Sequence, residues 1–199
     1  MKMKKNNIVL KEGYKTIVII FAVAIFLILF ISNCLALIML IIGFFMMYVY
    51  RDTNRHIFSN TQSVLAPIDS TVTAIDKVNG KFKIYCRVGL LNNHLLRAPI
   101  DADMTIKKYK HGLNLNPNSY KASLYNEQVT LKFEDIKVKL ISGLYNTRIK
   151  KINDKPILQG EKISVFLDGL VIITVQANYE LLINVGDSLT SGQTILFKK

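Results

Sequence analysis

The hydrophobic pattern is dominated by one apolar block near the N-terminus. Residues 17–50 form a run of 34 positions without a charged side chain, and Ser32, Asn33 and Gly43 are the residues in it outside the apolar set. A membrane-spanning helix needs about 20 apolar residues, so the block is too long for one span and slightly short for two. It is also too long for the hydrophobic region of a cleaved signal peptide.

The middle of the block contains a turn signal. The Ser32-Asn33 pair separates two apolar segments, residues 17–31 and 34–50, and small polar residues at such a point favour a turn. The pattern therefore predicts an N-terminal transmembrane helical hairpin, formed either by two tilted spans or by a re-entrant pair of helices.

After residue 62 the pattern changes to short alternating runs between turn signals. The predicted strands are residues 63–66, 71–78, 81–85, 128–133, 136–142, 144–150, 162–167, 170–176 and 180–184. Asn79-Gly80 is a two-residue hairpin signal, and the Asn-rich residues 111–127 are predicted to be a long loop. The predicted fold class is mainly β, with one small sandwich-like or barrel-like domain after the hairpin.

These patterns divide the chain into four segments. They are a basic N-terminal segment (1–16), the membrane hairpin (17–50), a juxtamembrane linker (51–62) and the β domain (63–199). The last segment is long enough to bury one hydrophobic core.

The net charge of the chain restricts the kinds of binding partner that we expect. The chain carries 26 Lys and Arg against 14 Asp and Glu, for a net charge of +12. Lysines precede the apolar block and Arg51 and Arg55 follow it, which predicts both ends of the hairpin, and hence the β domain, on the cytoplasmic side of a bacterial inner membrane. Anionic phospholipid headgroups are the expected partner of this charge. No nucleic-acid partner is predicted, because no nucleic-acid-binding motif occurs.

Residues that bind metals or form disulfides are few. Cys34 lies in the apolar block and Cys86 in a predicted strand, so they form no disulfide framework. The three histidines and these cysteines have no metal-ligand spacing, and no metal site is predicted.

Several short motifs occur in a fixed order along nearly the whole chain. They are Tyr50-Arg51-Asp52-Thr53-Asn54-Arg55, Leu65-Ala66-Pro67-Ile68-Asp69-Ser70, Asn92-Asn93-His94-Leu95-Leu96-Arg97-Ala98-Pro99, Gly160-Glu161-Lys162 and Val185-Gly186-Asp187-Ser188-Leu189. In sequence and order they resemble the phosphatidylserine decarboxylase family in its short bacterial form. The resemblance implies an enzyme of phosphatidylethanolamine synthesis that cuts itself at a Gly-Ser bond. The serine then becomes a pyruvoyl group, the electron sink for decarboxylation.

The resemblance also implies which residues form the site. Asp69 and His94 match the family's catalytic pair, and Gly169 matches the glycine before the cut. The position of the serine is occupied by Leu170, and the sequence has no Gly-Ser dipeptide. Leucine has no hydroxyl group, so we expect neither cleavage there nor a pyruvoyl group. Arg97 is a candidate for binding a lipid phosphate, with a solvated strand end as the alternative.

Further departures from the family pattern surround this position. Ser70, Asn92, Leu96 and Asp168 replace a glycine, an aspartate, an asparagine and an aromatic residue respectively. Ser164 is an alternative nucleophile, but it follows Ile163 and lies six residues early. Without a nucleophile, His94 is either a residual base or a polar residue bonded to Asp69 or a neighbouring strand.

Three functions stay open at this point. The first is an enzyme, a phosphatidylserine decarboxylase proenzyme that makes phosphatidylethanolamine at the inner membrane. Leu170 argues against its activity, and we therefore expect a decarboxylase-like protein that is unable to process itself. The second is a non-catalytic lipid-binding or scaffold relative, acting as a homo-oligomer or with an active paralogue. The third, an unrelated lipoyl-type module, lacks a modifiable lysine at a hairpin tip and ranks last.

Overall fold

The computed structural model describes residues 8–57, 60, 62–146, 149 and 154–198. The chain divides into two compact units, with the boundary between Asn54 and Arg55. The predicted linker is therefore shared between the units. Most of the predicted basic segment, residues 1–7, lies outside the described residues.

The first unit is a pair of helices, α1 (Lys11–Phe30) and α2 (Asn33–Val49), joined at Ile31 and Ser32. Its ends meet, because the Leu10 amide donates to the Tyr50 carbonyl at 2.8 Å. Small residues, Gly13, Ala24, Ala36 and Gly43, are among the few that are buried, as expected where apolar helices approach closely. Most large apolar side chains point outward instead.

Helix α1 is long and apolar enough to cross a membrane, and α2 is a shorter apolar helix. The break falls at the predicted turn. However, α1 begins at Lys11, six residues before the apolar block. Hydropathy marks the part of a helix that suits lipid, whereas backbone hydrogen bonding continues through the preceding polar residues.

Among its described residues, the second unit has thirteen strands in three sheets. The strands are β1 (Ser63–Leu65), β2 (Ser70–Val78), β3 (Lys81–Val88), β4 (Leu95–Arg97), β5 (Ala102–Lys110), β6 (Gln128–Phe133), β7 (Ile136–Ser142), β8 (Lys155–Ile157), β9 (Lys162–Val165), β10 (Gly169–Gln176), β11 (Glu180–Leu181), β12 (Ser188–Leu189) and β13 (Ile195–Lys198). A four-residue helix, α3 (Ala122–Tyr125), lies in the predicted loop. The prediction of a mainly β domain is therefore confirmed.

The largest sheet has eight antiparallel strands in the order β12-β2-β3-β10-β7-β6-β5-β8. The smaller sheets have the orders β1-β13-β11 and β4-β9. Strand β10 shows how the core forms: Gly169, Val171, Ile173 and Val175 are buried, while the residues between them are partly exposed. One face of the large sheet therefore covers the core, in the alternation expected of a half-buried sheet.

The predicted strands differ from the structure at several places. Strands β4, β5, β8, β12 and β13 are not among the predicted ones, and the predicted strands 162–167 and 180–184 end earlier, at Val165 and Leu181. Strand β5 is absent from the predicted strands because its lysine-rich sequence and a register shift between Ile106 and Lys108 interrupt the alternation. The prediction for residues 144–150 is wrong at Leu144 and Tyr145, which form a turn, and residues 147, 148 and 150 lie outside the described residues.

Candidate functional site

Gly169 and Leu170 begin the central strand β10. In register, Gly169 lies opposite Val88 of β3 and Ser142 of β7, and Leu170 lies opposite Arg87 and Ile141. The peptide bond between them is thus held between two neighbouring strands, at the edge of the buried core.

Gly169 fits only as glycine. Its φ of 142° lies in a region that L side chains rarely adopt. A Cβ atom here would overlap the Ile141 carbonyl oxygen, and it would lie 2.8 Å from the Phe166 ring and 2.9 Å from the Gly143 nitrogen. The backbone before residue 170 therefore has the close packing that a glycine allows.

Asp69 lies just before β2 and is held by several donors. Both Arg55 guanidinium Nη atoms donate to its carboxylate, the Nη2 atom at 2.7 Å to Oδ2. The Ser191 amide donates to Oδ1 at 2.8 Å, and the Ser191 hydroxyl accepts from Arg55 at 3.2 Å. The carboxylate therefore joins the segment before β1 to the turn before β13.

These donors set the protonation of Asp69. Burial by itself would raise the pKa of this carboxyl, but hydrogen bonds from Arg55, Ser191 and the Asn93 backbone, with the Arg55 charge, outweigh it and lower the pKa below its ordinary value of 3.8. Asp69 is therefore ionised at neutral pH.

This lowered pKa predicts an acid-dependent loss of stability. The contribution of Asp69 is fully present above its unfolded-state pKa, near 3.8, and is lost as pH falls towards the lower folded-state pKa. We expect thermal melts of the full chain and of Asp69→Asn at a series of pH values to converge as the pH falls from about 5 to about 2. A difference that stays constant over this range would contradict the lowered pKa.

His94 is fully buried in the loop before β4. Its Nε2 atom lies 3.0 Å from the Leu90 carbonyl oxygen. Its own carbonyl accepts a 2.8 Å hydrogen bond from the Phe166 amide, which extends the β4–β9 ladder towards Gly169. The structure thus brings the backbone of His94 beside the segment that leads into Gly169, and Asp69 beside the preceding residue, Asn93.

Asp168 and Arg97 have structural partners. The Asp168 carboxylate pairs with Arg87 at 3.5 Å and lies against Gly143, where there is no room for a side chain. Arg97 is buried and donates to the Gly160 carbonyl at 3.0 Å, so the alternative of a solvated strand end is wrong. Its predicted contact with a lipid phosphate stays a prediction.

Sequence reasoning missed Arg55 and Ser191 as partners of Asp69. Arg55 is the last residue of the Tyr50-Arg51-Asp52-Thr53-Asn54-Arg55 motif, and this position in a motif of the resemblance was a usable signal. Ser191 lies 122 residues after Asp69 in the chain. No local pattern indicates such a pairing, which depends on the tertiary fold.

Comparisons with known proteins identify the family of the chain. The family model for phosphatidylserine decarboxylase matches residues 42–197. The chain belongs to the phosphatidylserine decarboxylase family. It is 32% identical to a phosphatidylserine decarboxylase proenzyme of Pelagibacter ubique, with 94% of this chain and 95% of the relative aligned. It is also 32% identical to a putative archaetidylserine decarboxylase proenzyme of Methanosarcina barkeri, over 82% of each chain. No solved structure matches significantly.

Members of the phosphatidylserine decarboxylase family depend on a pyruvoyl group, and the residues here do not fit it. The group would derive from residue 170, whose side chain must provide a hydroxyl to become an ester and then be eliminated. Leu170 has none. Ser142 is the register partner of Gly169, but its hydroxyl donates to Asn114 Oδ1 at 3.0 Å. The nitrogen of Ser142 is also not part of the bond between residues 169 and 170, so Ser142 cannot replace the missing serine. Residue 170 of this chain therefore cannot become a pyruvoyl group.

Proposed function

We propose that this chain is a membrane-anchored protein of phospholipid biosynthesis. It retains the decarboxylase fold but stays a single uncut polypeptide. The observation that carries the proposal is Leu170 directly after a glycine, Gly169, whose backbone only glycine allows. The surrounding fold suits a cleavage site, whereas the nucleophile is missing.

Other nucleophiles do not replace the missing hydroxyl. Cys86 lies on the neighbouring strand, opposite Val171, but burial raises the pKa of its thiol to about 12, which keeps it protonated and unreactive. Ser164 lies within β9, opposite Leu96. An ordinary strand peptide before Ser164 lacks the glycine that precedes the family's cut.

We expect the purified full-length chain to give one species at the mass of the intact polypeptide, 22.6 kDa. Intact-mass spectrometry beside a denaturing gel measures this directly. Two fragments, the C-terminal one blocked by a pyruvoyl group, would overturn the proposal, and their masses would locate the cut. If Ser164→Ala then restored a single species, Ser164 would be the nucleophile.

The proposal includes a non-catalytic role, in which the chain binds membrane phospholipids or supports an active paralogue or a second copy of itself. The departures at Ser70, Asn92, Leu96 and Asp168 support this role because they lie in the motifs that carry Asp69, His94 and Gly169. The variant Leu170→Ser separates the possibilities. If the variant chain stays uncut, the site has lost more than its nucleophile, which supports the non-catalytic role. If the variant is cleaved, the rest of the site can still carry out self-cleavage.

We also propose that the β domain lies on the cytoplasmic side of a bacterial inner membrane. Lys11 and Lys15 precede the apolar part of α1, and Arg51 and Arg55 follow α2. Positive residues flanking both ends of a hairpin favour retention of both ends in the cytoplasm.

A further inference from the structure

The outer face of the eight-stranded sheet, opposite the core, carries a dense set of positive side chains. We name it the basic face and define it by Lys81, Lys83 and Arg87 of β3, Lys108 and Lys110 of β5, Lys132 of β6, and Lys137 and Lys139 of β7. Each is at least partly exposed. On β3, β6 and β7 they alternate with residues that are mostly buried in the core, and register partners such as Thr130 and Gln128 are not fully buried.

Positive charges on this face are placed directly against one another. Lys132 is the register partner of Lys137 across β6 and β7, and like charges at such positions repel. Lys139 is partly buried beside Lys108 and Lys110, and burial together with these two charges lowers the pKa of its amine. This arrangement therefore contributes no stability to the isolated domain, whereas binding of an anionic partner would reduce the repulsion.

Described acidic residues near this face lie towards its margins. Asp76 of β2 is the register partner of Lys83 of β3, and Asp103 lies near the start of β5. Glu134 and Asp135 form the turn between β6 and β7. Arg87 is paired with Asp168. The excess of positive charge is therefore greatest around Lys139, Lys108 and Lys110, because Glu134 and Asp135 lie close to Lys132 and Lys137.

The face also has a shallow depression of about 210 Å³. It is lined by Lys81, Lys132 and Lys137, by Thr174 and Gln176, and by the turn between β6 and β7. The three amines, the hydroxyl and the amide are hydrogen-bond donors of the kind that contact phosphate oxygens, whereas the Glu134 and Asp135 carboxylates oppose an anion at the end formed by the turn.

We propose that the basic face docks the β domain on the anionic phospholipid headgroups of the membrane that holds the α1–α2 hairpin. This docking proposal rests on the membrane anchoring proposed above. It does not depend on whether the chain cuts itself. The charges are complementary, and each lysine near such a surface contributes roughly five-fold to binding. The short connection between α2 and β1 raises the effective concentration of the face at the bilayer.

The chemistry of the face favours lipid over nucleic acid. Lysine ammonium groups dominate it, and they act as point charges towards phosphate. Surfaces for single-stranded nucleic acid add aromatic platforms that stack with bases. Tyr85 lies on this side of β3, but it is engaged in a hydrogen bond with Asp76.

The test uses the full-length chain in lipid nanodiscs, so that the hairpin is embedded in every sample. One set of discs contains phosphatidylcholine alone and the other adds phosphatidylglycerol. The rate of amine acetylation at each lysine is measured by mass spectrometry. We expect rates at Lys132, Lys137 and Lys139 to fall several-fold in the anionic discs, with no change at Lys77 and Lys198. High salt should remove the difference, because it shortens the Debye length to about 3 Å.

Charge reversal provides the matched control. In Lys132→Glu/Lys137→Glu, the lipid-dependent protection of Lys139 and Lys83 should be lost. The protection should persist in Lys77→Glu/Lys198→Glu, which has the same net charge. Lys77 is the register partner of Phe82 and lies off the basic face, and Lys198 belongs to another sheet. Circular dichroism checks that both variants fold.

Equal acetylation rates in the two kinds of disc would overturn the proposal. So would protection that appears only when an oligonucleotide is added, which would assign the face to nucleic acid. Neither result depends on the intact-mass measurement, so failure of docking and failure of the uncut-chain proposal are separate outcomes.

Discussion

Gly169→Ala is expected to lower the melting temperature of the β domain by roughly 10 °C, corresponding to about 3 kcal/mol of stability. The added methyl group would overlap the Ile141 carbonyl oxygen and press on the Phe166 ring. The positive φ at this position adds backbone strain. Because the position is in the central strand, neither β3 nor β7 can move away without breaking its ladder.

The melting temperature can be followed in mild detergent by near-ultraviolet circular dichroism of the tyrosines, since the chain contains nine of them and no tryptophan. Gly89→Ala is the matched control, because an added Cβ there would meet only the Asn92 side chain at an ordinary 3.5 Å. We expect its melting temperature to stay within about 3 °C of the unmodified chain. If Gly169→Ala melted as late as Gly89→Ala, the close packing described around residue 169 would be wrong.

The second large effect is expected from Arg55→Met, at about 3 kcal/mol of lost stability. Methionine keeps much of the length of the side chain but leaves the Asp69 carboxylate without its main cationic partner. The two side chains are only 16% and 13% exposed, so water cannot fully replace the guanidinium. Most of the loss arises from the charge that remains, and the double variant Arg55→Met/Asp69→Asn should recover part of it.

Lys155→Met is the control for this prediction. Lys155 pairs with Glu161 at 2.6 Å, but these side chains are 44% and 30% exposed. Such surface pairs contribute less than about 1 kcal/mol. Chemical denaturation of the full chain in detergent compares the variants. Equal losses for Arg55→Met and Lys155→Met would mean that the Arg55–Asp69 pair is not the interaction that ties these segments together.

Local patterns predicted the parts of the fold that local physics controls. The apolar run predicted the helical pair and its break near Ser32, since no other local feature competes with a run of this length. Strand β7 matches its prediction at both ends, because its alternation is regular and Asp135 precedes it in a turn. Strand β5 was missed because a bulge displaces its alternation by one residue.

The sequence by itself determined the family of this protein, the apolar hairpin, the mainly β class and the missing hydroxyl at Leu170, because each depends on residue identity or on near-neighbour periodicity. Only the tertiary structure decided that Asp69 pairs with Arg55 and Ser191, that Gly169 is closely packed between β3 and β7, and that lysines of four strands share one face. These features depend on strand order and register across long separations in the chain. Many pairings satisfy the same local pattern, and packing of the whole core selects one of them.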